Sequence, residues 1–532
     1  MGRTTWKILP LLAAALLVLG AAGCGGDDDG GDGDGGGGGG GTLIHGTTDQ
    51  PVSYDPAGSY DLPSWNVIYN VMFGLMTIPA GGNTPEPALA ESCDFDDPST
   101  YTCKLRSDLK FSDGSDVAAD DVKHSFDRVN RINDSNGPAS LLGSLYEEGG
   151  KVTGEEVEVV DPMTVTFHLK QPDATWPFIL TTGAGAIVPS EYEADKLHAD
   201  ANVVGHGPYK LAEYRSGEQT VIEKNDDFYG DPAKNDRVII QYYDKSSALK
   251  LALENKEVDL AYRSLTPTEV EDLRGADGVE VVEGNGTEIR YMVFNTKLEP
   301  GKDLAVRKAV AYTIDRQAIV DNVYNGTVEP LYSMVPRGIA SHTENFKDVY
   351  GETPDKAKAQ QALQAAGVQT PMQLEIWYTP THYGDLSADE YAEIKRSLEE
   401  SGLFTVQLKS TEWDQYSEAY AEDRYPIFQL GWFPDYPDPD NYLTPFYHTD
   451  NFLKNHYSNK EVDDLLAKQK ASTDDAERTQ AFEQIQEIAA RDVPIIPLWQ
   501  GKQVAGVQEG VTGVDETFDP SFQFRYWLIS KS

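Results

Sequence analysis

The sequence predicts an α/β protein with more than one lobe. Segments that alternate like strands are followed by segments with the spacing of helices, a pattern typical of α/β architecture. The stretch "RVIIQYYDKSSALKLALENKEVDLAY", residues 237–262, predicts a strand, a helix and a short strand, which together form a βαβ-like unit. About 490 residues follow position 41, too many for one hydrophobic core, so we expect two to four lobes.

The first half of the chain predicts mainly strands. A short apolar strand begins at Thr42, and a segment with helical spacing follows at residues 62–78. Residues 116–130, "DVAADDVKHSFDRVN", carry acids in the first turns and predict a helix. Two alternating strands are predicted around the Asp-Pro turn of residues 156–172, and another at residues 219–229.

The second half predicts alternating helices and strands. Residues 303–326 have apolar residues at helical spacing and end at a glycine, which predicts one long helix. The strand-like runs "QLEIWYT" and "PIFQLGW" lie on either side of a helix at residues 388–402. A pair of helices near the end of the chain precedes the apolar segment "VPIIPLW".

The amino terminus has the composition of an export signal. Basic residues precede an apolar run from Ile8 to Leu19, and small residues precede Cys24. This run is shorter than the roughly 20 apolar residues that span a membrane. We expect residues 1–23 to be removed and Cys24, whose context resembles a bacterial lipobox, to carry a lipid. Ala21 replaces the usual Leu of that motif, and an ordinary signal peptide with an incidental Cys is the alternative.

Residues 25–41 contain only Gly and Asp. They cannot bury apolar area to offset the entropy of ordering, so residues 24–41 are predicted to form a lipidated Cys followed by a disordered tether.

The chain is strongly acidic. It contains 44 Lys and Arg against 87 Asp and Glu, a net charge of −43, and removal of Arg3 and Lys7 with the signal makes it −45. Such a surface disfavours nucleic acid and anionic lipid headgroups. Because most of these carboxylates belong to the solvated surface, net charge does not identify a ligand.

Two cysteines remain after Cys24. Cys93 and Cys103 flank the turn-rich "DFDDPSTYT" between two strand-like runs, and an exported protein can oxidise them. We expect a disulfide across a hairpin; two unpaired thiols are the alternative. No further Cys is available to complete a zinc or redox site.

The common catalytic motifs are missing from the sequence. It has no His-Glu-x-x-His, no Gly-x-Ser-x-Gly and no phosphate-binding Gly-Lys-Ser/Thr segment. His206, between two glycines, could contact nickel or haem, but a variable turn residue is the simpler interpretation. We therefore expect no enzyme, no cofactor and no bound metal.

Five segments together resemble the extracytoplasmic solute-binding proteins of peptide and nickel ABC transporters. They are "ALAESCDF…TYTCKLRSDLKFSDGSDVAADDVKHSFDRV", "VVGHGPYKL", "RYMVFNT", "VRKAVAYTIDRQAIV" and "GWFPDYPDPDNYL", in the order that this family shows. The resemblance covers roughly Thr42 to Trp527, and the segments are specific only when taken together.

The resemblance implies a two-lobed, type II periplasmic-binding-protein-like fold with two chain crossings and an extra subdomain in the first lobe. The first crossing would lie near Gly284 and Gly286, where glycine gives the backbone freedom, and the second near "PIIPLWQGKQ". The implied limits are residues 42–288 with about 500–532 for lobe I, about 80–185 for its inserted subdomain, and 289–499 for lobe II.

The segment "GWFPDYPDPDNYL" carries the principal site prediction. In peptide-binding members of the family, the Asp three residues after the Trp pairs with the ligand's α-ammonium group, and Asp435 stands at this position after Trp432. In a closed cleft of low dielectric, a cation needs a fixed carboxylate partner. Trp432 and Tyr436 would form the wall beside it. Asp438 and Asp440 would satisfy local amides or cap a helical turn, and Asp435 itself could be a structural acid of the loop.

Weaker candidates lie in three other places. Family members contact ligand through the loop after the first strand, and the segment "NHYSN" follows the Asp435 loop closely. Ordinary packing is the alternative for each of these residues, and two arginines are possible partners for a ligand carboxylate. The candidates are Tyr54, Asp55, Asn455 and Tyr457 as ligand contacts, and Arg263 and Arg290 as cations.

These observations predict a receptor that is anchored to the cell membrane by Cys24. We expect it to be a monomer that captures a di- or oligopeptide outside the cytoplasm and delivers it to ABC permease subunits. Nickel chelates and oligosaccharides are alternative ligands, because relatives with this fold bind them. A secreted hydrolase that reuses the fold, or a sensor within a surface complex, is the alternative from another class.

Overall fold

The computed structural model describes residues 41–263 and 265–531. The predicted signal segment, the lipidated Cys24 and the tether before Gly41 lie outside the described residues. No helix among the described residues combines the length and apolar composition needed to cross a bilayer.

The strands include two that are much longer than the rest, β12 and β17. The strands are β1 (Thr42–Thr47), β2 (Met76–Thr77), β3 (Glu86–Pro87), β4 (Ala90–Asp97), β5 (Thr100–Leu105), β6 (Val157–Asp161), β7 (Thr164–His168), β8 (Tyr209–Arg215), β9 (Gln219–Lys224), β10 (Arg237–Tyr242), β11 (Leu260–Tyr262), β12 (Val279–Phe294), β13 (Val328–Pro330), β14 (Met372–Tyr378), β15 (Phe404–Ser410), β16 (Ile427–Trp432), β17 (Ile495–Gln508), β18 (Val511–Thr512) and β19 (Ser530–Lys531).

The helices are concentrated after β12. They are α1 (Leu62–Val71), α2 (Ala119–Ile132), α3 (Trp176–Ile179), α4 (Ser246–Glu254), α5 (Pro267–Arg274), α6 (Leu304–Thr313), α7 (Arg316–Asn322), α8 (Asn345–Tyr350), α9 (Lys356–Ala365), α10 (Ser387–Glu400), α11 (Trp413–Ala421), α12 (Asp440–Tyr447), α13 (Lys460–Ala471) and α14 (Asp475–Asp492). Short 3-10 helices include Pro56–Gly58 and Ala139–Leu142.

One large sheet runs through both halves of the protein. Its strand order is β15-β14-β16-β12-β17-β11-β1-β10-β9-β8, with β13 also paired to β17. Strand β1 lies between β10 and β11 and is parallel to both, so the predicted βαβ unit around α4 is present. The antiparallel pair β12 and β17 joins the two halves, with a register shift between Asn285 and Ile289.

The buried residues fall into two groups on either side of that shift. Two core clusters consist only of residues between Ile289 and Trp499. The other three draw on residues 43–282 and 505–529, with Tyr436 as the exception. We use lobe II for the first group and lobe I for the second. The residue limits given above for the lobes stay a prediction, which this division of the cores supports.

A small sheet forms the extra subdomain of lobe I. Its strand order is β4-β5-β7-β6, and α2 packs against β6 and β7. Cys93 and Cys103 face each other across β4 and β5, and their sulfur atoms are bonded, as predicted.

One local prediction needs correction, and one glycine at the predicted crossing has a further structural reason. Residues 303–326 form two helices, because α6 ends at Thr313 and the side chain of Asp315 accepts a hydrogen bond from the Ala318 amide to start α7. Gly284 and Gly286 do not have positive φ angles. A Cβ atom at Gly286 would lie 2.5 Å from the carbonyl oxygen of Gly501 on β17, so close approach of the crossing strands requires this glycine.

Candidate functional site

The Asp435 loop lies at the edge of lobe II where the chain enters it. Strand β16 ends at Trp432, which is paired with Ile289 of β12, just after the register shift between the lobes. Strand β14 runs parallel to β15 and β16, so the segments after all three strands share this edge. Ligands of open α/β sheets bind at such carboxyl-terminal edges. The loop therefore lies in the position expected of a binding segment.

Asp435 is held by contacts from both lobes. Its Oδ1 accepts a hydrogen bond of 2.6 Å from the Tyr60 hydroxyl of lobe I, and its Oδ2 accepts one of 2.8 Å from Asn441 Nδ2 of α12. The Oδ1 of Asn441 accepts in turn from the Asp435 amide and from Trp432 Nε1, both at 3.0 Å. These bonds fix the carboxylate in one orientation.

No cation of the described chain lies within ion-pair distance of Asp435. Burial raises the pKa of Asp435, whereas the hydrogen bonds from Tyr60 and Asn441 act in the opposite direction. A partly buried carboxylate that has donors but no countercharge is suited to a cationic ligand group, which would supply the missing charge.

A cavity of about 280 Å³ adjoins Asp435. Ser140, Ser144 and Thr175 of the lobe I subdomain line one side of it. Trp432 at the end of β16, Tyr436 of the following loop, Thr444 of α12 and Lys470 of α13 line the other. This volume lies just below the usual range for ligand pockets, roughly 300–1,000 Å³.

Trp432 and Tyr436 line the cavity but have structural contacts as well. The Trp432 ring packs edge-on against Phe446 at 5.3 Å, besides its hydrogen bond to Asn441. Tyr436 is buried and belongs to the core cluster of the lobe I subdomain, where it contacts Phe178. Tyr436 thus docks lobe II onto lobe I, and the ligand contacts predicted for both residues stay a prediction.

Tyr54 and Asp55 have structural roles. Asp55 is fully buried, and its two carboxylate oxygens accept hydrogen bonds of 2.6 and 2.5 Å from the guanidinium of Arg128. The Tyr54 hydroxyl lies in the core of lobe I and bonds to Thr220 and Tyr242. The loop after β1 therefore turns these two residues away from the Asp435 cavity, and we do not retain them in the proposed site.

Asn455 and Tyr457 also have structural contacts. The Tyr457 hydroxyl donates to Asp492 at 2.9 Å, and its amide donates to the Asn455 side chain. Asn455 is fully buried, and its carbonyl accepts a hydrogen bond from Thr296. Neither residue lines the cavity, so we do not retain them either.

The two candidate arginines flank Phe433, which follows Trp432. The Arg263 guanidinium lies 5.3 Å from the ring centre, and that of Arg290 lies 5.7 Å from it. Arg263 is paired with Asp49, and Arg290 is paired with Glu288 at 2.5 Å. Because each arginine already has a carboxylate partner, neither stands out as the cation for a ligand carboxylate.

The remaining sequence candidates are buried. His206 is 1% exposed and bonds to the Ile187 carbonyl, and burial lowers its pKa to about 4. Asp438 accepts from the Asp440 amide, as predicted for a local role, and also pairs with Arg478 at 2.8 Å.

Sequence reasoning missed three residues of the site: Tyr60, Asn441 and Lys470. Tyr60 lies 375 positions from Asp435, and Lys470 reaches the cavity from α13. No local pattern connects such distant positions. The contact of Asn441 could have been predicted from the sequence, because this residue lies six positions after Asp435, on the first turn of the next helix.

Fold and site together define a two-lobed binding protein with a carboxylate at the junction of its lobes. The family model of bacterial extracellular solute-binding proteins, family 5 (middle region), matches residues 84–454, and the chain belongs to this family. The family resemblance and the type II fold predicted from the sequence are thereby confirmed. The family is extracellular, so the protein acts outside the cytoplasm.

Relatives and solved structures cover nearly the whole chain. The dipeptide-binding protein DppE of Bacillus subtilis is 27% identical over 484 residues, 88% of each chain. Heme-binding protein A of Haemophilus influenzae is 27% identical over 495 residues, 89% of each chain. The ABC transporter-associated periplasmic binding protein DppA from Helicobacter pylori, solved with the peptide STSA, is 25% identical with a TM-score of 0.72 and covers 92% of this chain and 98% of that one.

Replacing Asp55 with Ala should destabilise the protein by about 3–5 kcal/mol, because it leaves the buried Arg128 guanidinium without a countercharge. Urea unfolding followed by circular dichroism measures the loss. The exposed Asp231 is the control, and its replacement by Ala should change stability by less than about 0.5 kcal/mol. Equal stability of the two variants would refute the structural role of Asp55.

Proposed function

We propose that this protein is the membrane-anchored receptor of an ABC importer and that it captures a short peptide between its lobes. The observation that carries this proposal is Asp435, a fixed carboxylate that has no countercharge among the described residues and adjoins a cavity lined by both lobes. The family assignment and the relatives that bind peptides support the same class of ligand.

The α-ammonium group of the peptide would bind Asp435. An ammonium group is a point charge with three donors, and Asp435 offers it the charge that its neighbours Tyr60 and Asn441 lack. Peptides share this group whatever their side chains, so one carboxylate can recognise many peptides. The volume of the adjoining cavity favours short ones.

Closing of the lobes would couple capture to transport. Because Tyr60 belongs to lobe I and Asp435 to lobe II, a ligand at this point touches both lobes only when they are together. Such a ligand stabilises the closed state by its differential affinity for that state. The closed form would then deliver the peptide to the permease subunits.

Anchoring through a lipid on Cys24 is part of the proposal, and the composition of residues 1–41 supports it. Replacing Cys24 with Ser should release the protein from the membrane fraction of an expressing bacterium, because no acyl chain can attach. Western blots of membrane and soluble fractions measure this. Replacement of the nearby Thr5 with Ser is the control, and this variant should stay in the membrane fraction. If the Cys24 variant stays there as well, the proposal of a lipid anchor on Cys24 is rejected.

Replacing Asp435 with Ala should weaken peptide binding by at least roughly 30-fold, since removal of one partner of a desolvated charge pair costs about 2 kcal/mol or more. Isothermal titration of the purified protein with Ala-Ala measures the change, and N-acetylated Ala-Ala should bind as poorly to the unchanged protein. Asp414, an exposed acid of α11, provides the control substitution to Ala.

Binding of nickel–histidine or an oligosaccharide without any peptide binding would reject the peptide proposal and keep the receptor class. Hydrolysis of the peptide during the titration would favour the hydrolase. Unchanged peptide affinity in the Asp435 variant would show that the carboxylate is a structural acid of the loop.

Peptide affinity should also fall as the medium is acidified. The ammonium group binds ionised Asp435, and burial raises the pKa of this carboxyl in the free protein. Protonation therefore competes with the ligand at a higher pH than for an ordinary aspartate, and binding should release protons between neutral pH and about pH 4. Titrations in buffers of different ionisation enthalpy detect this release. A peptide affinity that does not change over that pH range would contradict the proposed pairing.

A further inference from the structure

The cavity beside Asp435 has walls of unequal charge. Three carboxylates line it, those of Asp173, Asp435 and Asp440, and the one cation that lines it among the described residues is Lys470. The neighbouring pair of Asp438 and Arg478 adds no net charge. The cavity therefore carries two uncompensated negative charges when its carboxylates are ionised, one more than the α-ammonium group of a ligand would neutralise.

The contacts of Lys470 do not remove this imbalance. Its Nζ lies 3.5 Å from Asp173 Oδ2, and its carbonyl oxygen accepts a hydrogen bond from the Ala174 amide across the lobes. Asp173 also accepts from Ser144 and twice from Thr175, so its carboxylate is occupied by structural donors.

Asp440 differs from Asp173 in having one oxygen without such donors. It is 3% exposed, and the hydrogen bonds that it accepts from Thr444 and Gln469 both go to Oδ1. No hydrogen bond from the described residues reaches its Oδ2, and the residue lines the cavity. A carboxylate oxygen that has no such donor and belongs to a residue lining the cavity is stabilised by a cationic group placed there.

We propose that this cavity takes the side chain of the peptide's first residue and prefers a basic one, Lys or Arg. The inference rests on the proposed function, because Asp435 must hold the α-ammonium group for the first side chain to enter the cavity. The side-chain cation then lies near Asp440, and the two positive charges of the ligand neutralise the two excess negative charges.

Two dipeptides isolate the charge from the size of the side chain. Lys-Ala and norleucine-Ala have side chains of nearly equal length, and only the first carries a cation. Isothermal titration of the full protein should give an affinity for Lys-Ala that is at least about tenfold higher than that for norleucine-Ala, because the attraction acts in a partly desolvated cavity. We call this quotient the Lys/norleucine affinity ratio.

Variants of the cavity wall should change this ratio in opposite directions. Gln171→Lys adds a positive charge to the wall and should lower the ratio, whereas Lys470→Gln removes one and should raise it. Lys468→Gln, on the exposed face of the same helix, and Gln364→Lys, on α9, make the same charge changes elsewhere and should leave the ratio unchanged. A purely structural effect of Lys470→Gln would lower both affinities and leave their ratio constant.

The outcomes separate this inference from the proposed function. Equal affinities for Lys-Ala and norleucine-Ala, both lost in Asp435→Ala, would overturn the preference and leave the peptide receptor intact. If Gln171→Lys and Lys470→Gln leave the Lys/norleucine affinity ratio unchanged, the preference for a basic side chain is overturned as well. Failure of both dipeptides and of Ala-Ala to bind would overturn the proposed function and this inference with it.

Discussion

The pairing of β12 with β17 is the constraint on which the rest of the structure depends. These two strands belong to one sheet, yet their register shifts between Asn285 and Ile289, where the buried cores of the two lobes separate. The backbones approach so closely there that Gly286 has no room for a Cβ atom. The buried cores on either side of this shift are thus linked by two adjacent strands of one sheet, an arrangement that suits a hinge.

The same arrangement explains where the candidate site lies. Strand β16 pairs with β12 and ends beside the shift, so the loop that follows it projects at the junction of the lobes. Asp435 is held there by Asn441 from its own lobe and by Tyr60 from the other. A carboxylate that has no countercharge within residues 41–263 and 265–531 costs stability in this place, whereas Asp55, in the core of lobe I, is neutralised by Arg128. Such a local cost is expected at functional sites, where binding recovers it.

Several elements could be predicted because their causes are local. The βαβ unit around α4, the hairpin of β6 and β7 and the disulfide between Cys93 and Cys103 all follow from alternation, turn residues and spacing. The break between α6 and α7 was missed, since the apolar spacing continues through it and only the Asp315 cap interrupts the helix. Tyr54 and Asn455 do not line the Asp435 cavity, and neither family resemblance nor position in a loop shows which way a side chain points.

The sequence by itself determined the class of protein and the identity of Asp435 as the candidate ligand partner, because order and spacing of motifs are properties of the chain. Only the tertiary structure decided what surrounds that carboxylate. Tyr60 reaches Asp435, and Lys470 and Asp173 reach the cavity, from segments that are far apart in the chain. The net charge of the cavity is the sum over the charged side chains that line it, so it cannot be predicted from any one segment of the sequence.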